Sequence, residues 1–158
     1  MKYRWVYVLE VVSLLLIIGI IFIPKHPDTS KADLALQKSQ LNSFVRGFLE
    51  SKDSPLAPET NLLLEQKHWK LLIAISAIES QYCKRKIAFN CWGIGGDSAY
   101  RKYKNIREAI VDANNLIERW QVRGRWLTVE DMNGHYVVPK NPNWVRVVNK
   151  VLIQLENE

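Results

Sequence analysis

The apolar positions of the chain fall into two regimes. From Trp5 to Ile23 they are nearly continuous, broken by Glu10, Ser13 and Gly19. After Ile23 they recur at helical spacing between polar segments. Ala32 to Ser51 places Leu34, Leu36, Leu41, Phe44, Val45, Phe48 and Leu49 at such intervals, which predicts a helix. Ser54-Pro55-Leu56-Ala57-Pro58 breaks the pattern. Pro58 suits a first helical turn, so Glu59 to Lys67 reads as a short helix. Trp69 to Tyr82 reads as a second, strongly apolar one, and Lys84 to Tyr100, with Gly93, Gly95 and Gly96, as irregular. Asn105 followed by Glu108 has the form of a reciprocal cap. It opens a helix with Ile106, Ile110, Ala113, Ile117 and Trp120 on one side. Thr128 to Asp131 opens another, which Gly134 stops. A last helix, capped by Asn143, aligns Trp144, Val147, Val148, Val151, Leu152 and Leu155. Strand signals are weak. The expected fold is all-α, with about five helices from Ser54 onward.

The continuous stretch sets the compartment. About 20 apolar residues span a bilayer as a helix. Lys2 and Arg4 precede the stretch and favour an N-terminus held inside, with the remainder outside. Glu10 lies towards the N-terminal end, where it reaches the headgroups. Ile23-Pro24-Lys25-His26-Pro27 is a poor cleavage site, which favours an uncleaved signal anchor over a removed signal peptide. A buried core helix is the third reading, and the run is long for one. The expected organisation is a transmembrane anchor over 1–24, a juxtamembrane linker and helix over 25–53, and a folded domain over 54–158. The Ala32–Ser51 helix either packs on that domain or lifts it from the membrane.

With 158 residues and a hydrophobic fraction of 47%, the chain has room for one domain and an appendage. Its net charge of +6 favours an anionic partner: nucleic acid, a membrane surface or an acidic wall polymer. The basic residues are scattered rather than clustered on one helix face, and the location is external, so nucleic acid is not the expected partner. His26, His68 and His135 lie far from Cys83, Cys91 and one another, so no metal or other cofactor is expected.

Within Trp69–Tyr82, helical periodicity puts Leu72, Ile75 and Glu79 on one face. A carboxylate among apolar positions is costly to bury ionised. The C-terminal end of a helix disfavours negative charge as well. Both effects raise a carboxyl pKa, as a general acid at neutral pH requires. The plainer reading pairs Glu79 with Lys84, Arg85 or Lys86. Cys83 follows one turn later and Cys91 after it. Outside the membrane the two can bond and pin Lys84 to Asn90 beside the helix end. The alternative is a pair of free buried thiols. The glycines of Asn90-Cys91-Trp92-Gly93-Ile94-Gly95-Gly96 permit tight turns but do not match a dinucleotide fingerprint. Trp92, Tyr100, Tyr103, Trp126 and Tyr136 sit in or near loops, where rings can stack on sugars or pack in the core. For Trp120 and Trp144 packing is the preferred reading.

Taken in order, these segments resemble the lysozyme-like superfamily, in particular soluble lytic transglycosylases and endo-β-N-acetylglucosaminidase-like wall hydrolases. Ile75-Ser76-Ala77-Ile78-Glu79-Ser80-Gln81-Tyr82-Cys83 is similar to the helix carrying the catalytic glutamate, opened upstream by Ser54-Pro55-Leu56-Ala57. Asn90 to Ile94 matches an Asn-x-x-Gly-Ile turn that lines the cleft. Tyr103 to Ile110 resembles an aromatic followed by a Glu-Ala-Ile helix start. Leu127 to Asp131, Tyr136 and Asn143-Trp144 resemble the C-terminal part. The resemblance spans roughly Ser54 to Leu155. It implies a lysozyme-like domain that cleaves β-1,4 bonds of peptidoglycan, with Glu79 as acid and Tyr136 placing substrate or stabilising charge. Ser80 and Asn90 shape the floor of the site, and Trp92, Gly93, Ile94 and Tyr103 line it. The Gly-Leu-Met-Gln turn of many lytic transglycosylases is absent, and the Cys83–Cys91 pair is not general to the superfamily. These departures leave the subfamily open; because a lytic transglycosylase needs only one carboxylate, lytic transglycosylase or muramidase chemistry is expected, with glucosaminidase chemistry as an alternative. Asp97 and Glu108 are candidates for a second acid, and each reads equally as a surface residue or a cap. Two readings of another class stand beside these: a non-catalytic wall-binding module, and a membrane-anchored adaptor that uses the Ala32–Ser51 helix to hold a protein partner.

Overall fold

The computed structural model describes residues 30–96, 99–126 and 128–156. The expected membrane anchor over residues 5–23 lies outside these. Among the described residues no helix is long and apolar enough to cross a membrane. The described chain is all-α but for one short ladder, in which β1 (Gly95–Gly96) pairs antiparallel with β2 (Ala99–Tyr100).

Helix α1 runs from Lys31 to Glu50. Ser30 opens it by a reciprocal exchange with Asp33, each capping the other's backbone or hydroxyl. The compact unit that holds the site begins at Lys38, well before Ser54. The α1 segment inside it is not a stalk, because Val45 and Leu49 have no solvent exposure and belong to the core. The linker expected over 25–53 therefore ends earlier than the break at Ser54 suggests. Prolines mark a break in helicity; they do not mark the edge of a core.

The Ser54–Pro58 break leads into a 3-10 turn (Ala57–Glu59) and a single α-helical stretch, α2 (Thr60–Leu64). Helix α3 (Trp69–Ser80) is the centre of the unit. Leu72, Ile73, Ala74, Ile75 and Ser76 are all buried, so the helix is enclosed on every side there. Helix α4 (Ile106–Val122) buries Ala109, Ile110, Ala113 and Ile117. Helix α5 (Val129–Met132) starts with a capping box between Thr128 and Asp131. Helix α6 (Pro142–Gln154) makes the most extensive helix–helix contact in the unit, against α3. It buries Trp144, Val148 and Val151, with Leu155 just beyond its end. Four such side chains contribute about 6–12 kcal/mol of transfer free energy as an upper bound. The cap of α6 is Asn141 rather than Asn143. Pro142 takes the first helical position, which forces the preceding residue into extended backbone, the conformation a cap requires.

Candidate active site

Helix α3 stops one residue after Glu79. Gln81, Tyr82 and Cys83 then adopt φ of +52°, +57° and +67°, left-handed backbone without a glycine among them. Two hydroxyls and a disulfide hold this costly turn in place. The Ser80 hydroxyl donates to the Cys91 carbonyl at 2.7 Å and accepts from the Cys83 N–H at 3.0 Å. The Ser54 hydroxyl donates to the Tyr82 carbonyl at 2.8 Å. The Cys83–Cys91 disulfide closes the loop, with Cα atoms 4.7 Å apart.

That clamp carries the chain into the turn Asn90–Ile94, where one buried side chain organises the backbone. Asn90 Nδ2 donates to the carbonyls of Ile94 (2.6 Å) and Arg101 (3.1 Å). Its Oδ1 accepts from the N–H groups of Ile94 (3.0 Å) and Trp92 (3.3 Å). Trp92 is buried, and its indole donates to the Leu72 carbonyl of α3 at 2.9 Å. The outcome is the placement of Gly93 against Glu79. Gly93 has φ of +64°, and a Cβ there would lie 2.9 Å from Glu79 Oε2. Backbone conformation and space both demand glycine at this point.

The other oxygen of the carboxylate, Oε1, accepts from the Trp144 indole N–H at 2.7 Å. Trp144 is thus both a core side chain and the direct partner of Glu79. Its place on the apolar face of α6 gives the packing role, while no local pattern signals the contact with α3. Tyr136 stacks beside it, with ring centroids 5.7 Å apart, and donates its hydroxyl proton to the Trp92 carbonyl. Trp126 meets the other side of Tyr136 edge-on at 5.4 Å.

Glu79 as a residue is exposed, whereas its carboxyl group sits in the crowded space between Gly93 and Trp144. Loss of water around that group pushes its pKa above the ordinary 4.5, and the indole hydrogen bond offsets part of the rise. The alternative pairing with Lys84, Arg85 or Lys86 is not formed; the ion pairs among the described residues lie elsewhere. Tyr136 is pushed well above its ordinary range by burial first, then by the charges of Glu79 and Tyr103. It stays protonated at any physiological pH, with that proton directed at Trp92.

Of the residues expected to contact substrate, Gly93 and Tyr103 reach the surface. Ser80, Asn90, Trp92 and Ile94 are buried, and the polar groups of the first three are satisfied within the chain. Their contribution is to hold the backbone, not to touch a ligand with their side chains. Trp126 is buried as well, whereas Tyr100 is exposed. Of the two acids proposed as a companion to Glu79, Asp97 lies outside the described residues. Glu108 is a cap, although its carboxylate accepts from Lys104 N–H rather than from Asn105.

Asp112 is a carboxylate that the sequence pattern does not single out. It accepts from the Tyr103 hydroxyl at 2.8 Å and pairs with Arg101 at 2.6 Å. Burial and Asp112 together raise the Tyr103 pKa. These residues line an open surface groove along the N-terminal half of α4, which does not include Glu79. Tyr103, in this wall, also acts electrostatically on Tyr136.

No protein-family model matches the chain, and no curated protein matches it.

Proposed function

We propose that the chain is a cell-wall glycosidase with a lysozyme-like catalytic unit, in which Glu79 is the proton donor. The observation that carries this reading is the state of Glu79. The residue is exposed, desolvation around its carboxyl group raises the pKa, and one of its oxygens is held by the Trp144 indole while the other lies where only a glycine at position 93 leaves room. A general acid needs a proton at working pH and a defined direction in which to deliver it. The left-handed turn, the disulfide and the Asn90 network supply that rigidity.

One carboxyl suffices for lytic transglycosylase chemistry. Protonated Glu79 gives its proton to the leaving glycosidic oxygen as the bond from that oxygen to the anomeric carbon breaks. The resulting carboxylate takes the proton of the muramic acid 6-hydroxyl, whose oxygen bonds to the same carbon. The product is an anhydro ring, and Glu79 is protonated again. Tyr136, with its own proton committed to Trp92, serves as a ring wall and acceptor beside that carbon. The disulfide supports an oxidising, extracytoplasmic location, and residues 5–23 would anchor the chain in the membrane.

Digestion of purified peptidoglycan followed by mass spectrometry tests this. Anhydro-muramyl ends are expected, and Glu79→Gln abolishes their release. Reducing N-acetylglucosamine ends would assign glucosaminidase chemistry instead. Wall binding without any glycan release would make the unit a non-catalytic module.

A further inference from the structure

The two oxygens of Glu79 stand in different surroundings. Oε1 accepts from the Trp144 indole at 2.7 Å, and among the described residues no other side chain donates to the carboxyl group. Oε2 lies beside Gly93, where an added Cβ would come within 2.9 Å. An indole N–H donates and cannot accept. In a neutral carboxyl group the carbonyl oxygen is the better acceptor, so the indole bond makes Oε1 that oxygen and leaves the proton on Oε2. Trp144 is firmly held. It lies in the first turn of α6, where Asn141 Oδ1 accepts from its backbone N–H at 3.2 Å. Its side chain is buried and stacks on Tyr136, whose hydroxyl is bonded to the Trp92 carbonyl, next to Gly93. The tether on one oxygen and the gap beside the other are thus referred to the same turn.

We propose that Trp144 is a positioning residue that divides the work of the carboxyl group: Oε2 delivers the proton and takes the next one back, while Oε1 stays on the indole. The proposal rests on the glycosidase reading of Glu79. The Oε2–H bond breaks as its proton passes to the leaving glycosidic oxygen, whose bond to the anomeric carbon breaks. The charge left on the carboxylate strengthens the indole bond, because a hydrogen bond to an ionised acceptor is roughly twice as strong as a neutral one. Trp144 therefore favours the transition state over bound substrate, which raises kcat without changing KM. Oε2 then takes the proton of the attacking hydroxyl, and the carboxyl group returns to its first state. The same indole bond opposes the rise in pKa that desolvation causes.

The test is an NMR titration of the full chain in detergent micelles, with glutamate labelled with carbon-13 at Cδ. The resonance missing from Glu79→Gln belongs to Glu79. Two variants remove the N–H: Trp144→Phe, and replacement of Trp144 by 3-benzothienylalanine, which keeps the ring shape with sulfur in place of the N–H. In both, the Glu79 midpoint should move to higher pH, and the alkaline limb of glycan release should move with it. At the optimum kcat should fall about tenfold with KM unchanged. An unmoved midpoint in the benzothienylalanine variant would overturn the proposal, as would a raised KM with kcat intact, the mark of a packing role alone. A wild-type chain in which Glu79 titrates yet no glycan is released would overturn the glycosidase reading, and the transfer step with it. An unmoved midpoint in a chain that does release glycan would overturn the division between the oxygens and leave that reading standing.

Discussion

Replacing Asn90 by alanine removes a side chain that never touches the candidate substrate and yet should disable the site. Four hydrogen bonds are lost, at 2.6, 3.0, 3.1 and 3.3 Å, all to backbone groups of the chain. A net contribution of about 1 kcal/mol for each gives an upper value of about 4 kcal/mol. Gly93 at the middle of the turn is exposed, so water reaches part of the freed backbone, and about 2–4 kcal/mol is the expected loss. Against a typical total of roughly 5–15 kcal/mol this is severe but leaves a folded protein to assay. Urea denaturation followed by tryptophan fluorescence measures it, with an unchanged slope as the sign that only stability moved. Asn90→Asp should be at least as damaging. It retains the two acceptor contacts but turns an anionic oxygen towards the Ile94 and Arg101 carbonyls. Glycan release should fall further than the folded fraction, because Gly93 no longer frames the carboxyl group. A loss below about 0.5 kcal/mol for Asn90→Ala would refute the role given to this network.

Glu79→Gln should make stability less dependent on pH. The wild-type carboxyl holds its proton more tightly folded than unfolded, so its favourable contribution is complete below the ordinary value of 4.5 and is lost as pH rises through the higher folded value. The glutamine variant should therefore gain on the wild type towards neutral pH in denaturation midpoints, and a gain on acidification would contradict the assignment. Cys83→Ser combined with Cys91→Ser should lower stability by about 2–3 kcal/mol for so short a loop, read by the same denaturation. Tyr136→Phe strands the Trp92 carbonyl and should lower stability by about 1–3 kcal/mol, with glycan release reduced but not abolished.

Local chemistry was readable in the chain wherever a few neighbouring residues decide the outcome. The Thr128–Asp131 box and the Asn105 cap are formed, and α3 and α4 start and stop within a residue or two of the pattern. The burial of Leu72 and Ile75 follows from periodicity, but Glu79 on the same stripe emerges at the surface, because the helix ends beside it. Long-range pairing was not readable. Trp144 lies on the apolar face of α6 like any core tryptophan, and only the packing of α6 on α3 turns its N–H towards Glu79. Asp112 is one acid among several on α4. Its engagement with Tyr103 and Arg101 depends on how the segment before the helix folds back.

The way α1 joins the unit has a mechanical consequence. Val45 and Leu49 are core residues, the Phe48 ring meets Tyr82 edge-on at 6.0 Å, and Ser54 grips the Tyr82 carbonyl. Tension applied at Lys38, where the compact unit begins, would pass along α1 into the left-handed turn that follows Glu79. Tension on that path would strain the turn before it lifted the unit as a whole. A wall enzyme built this way would feel its attachment, and a shortened chain beginning at Ser54 would lose both the load path and a piece of the core.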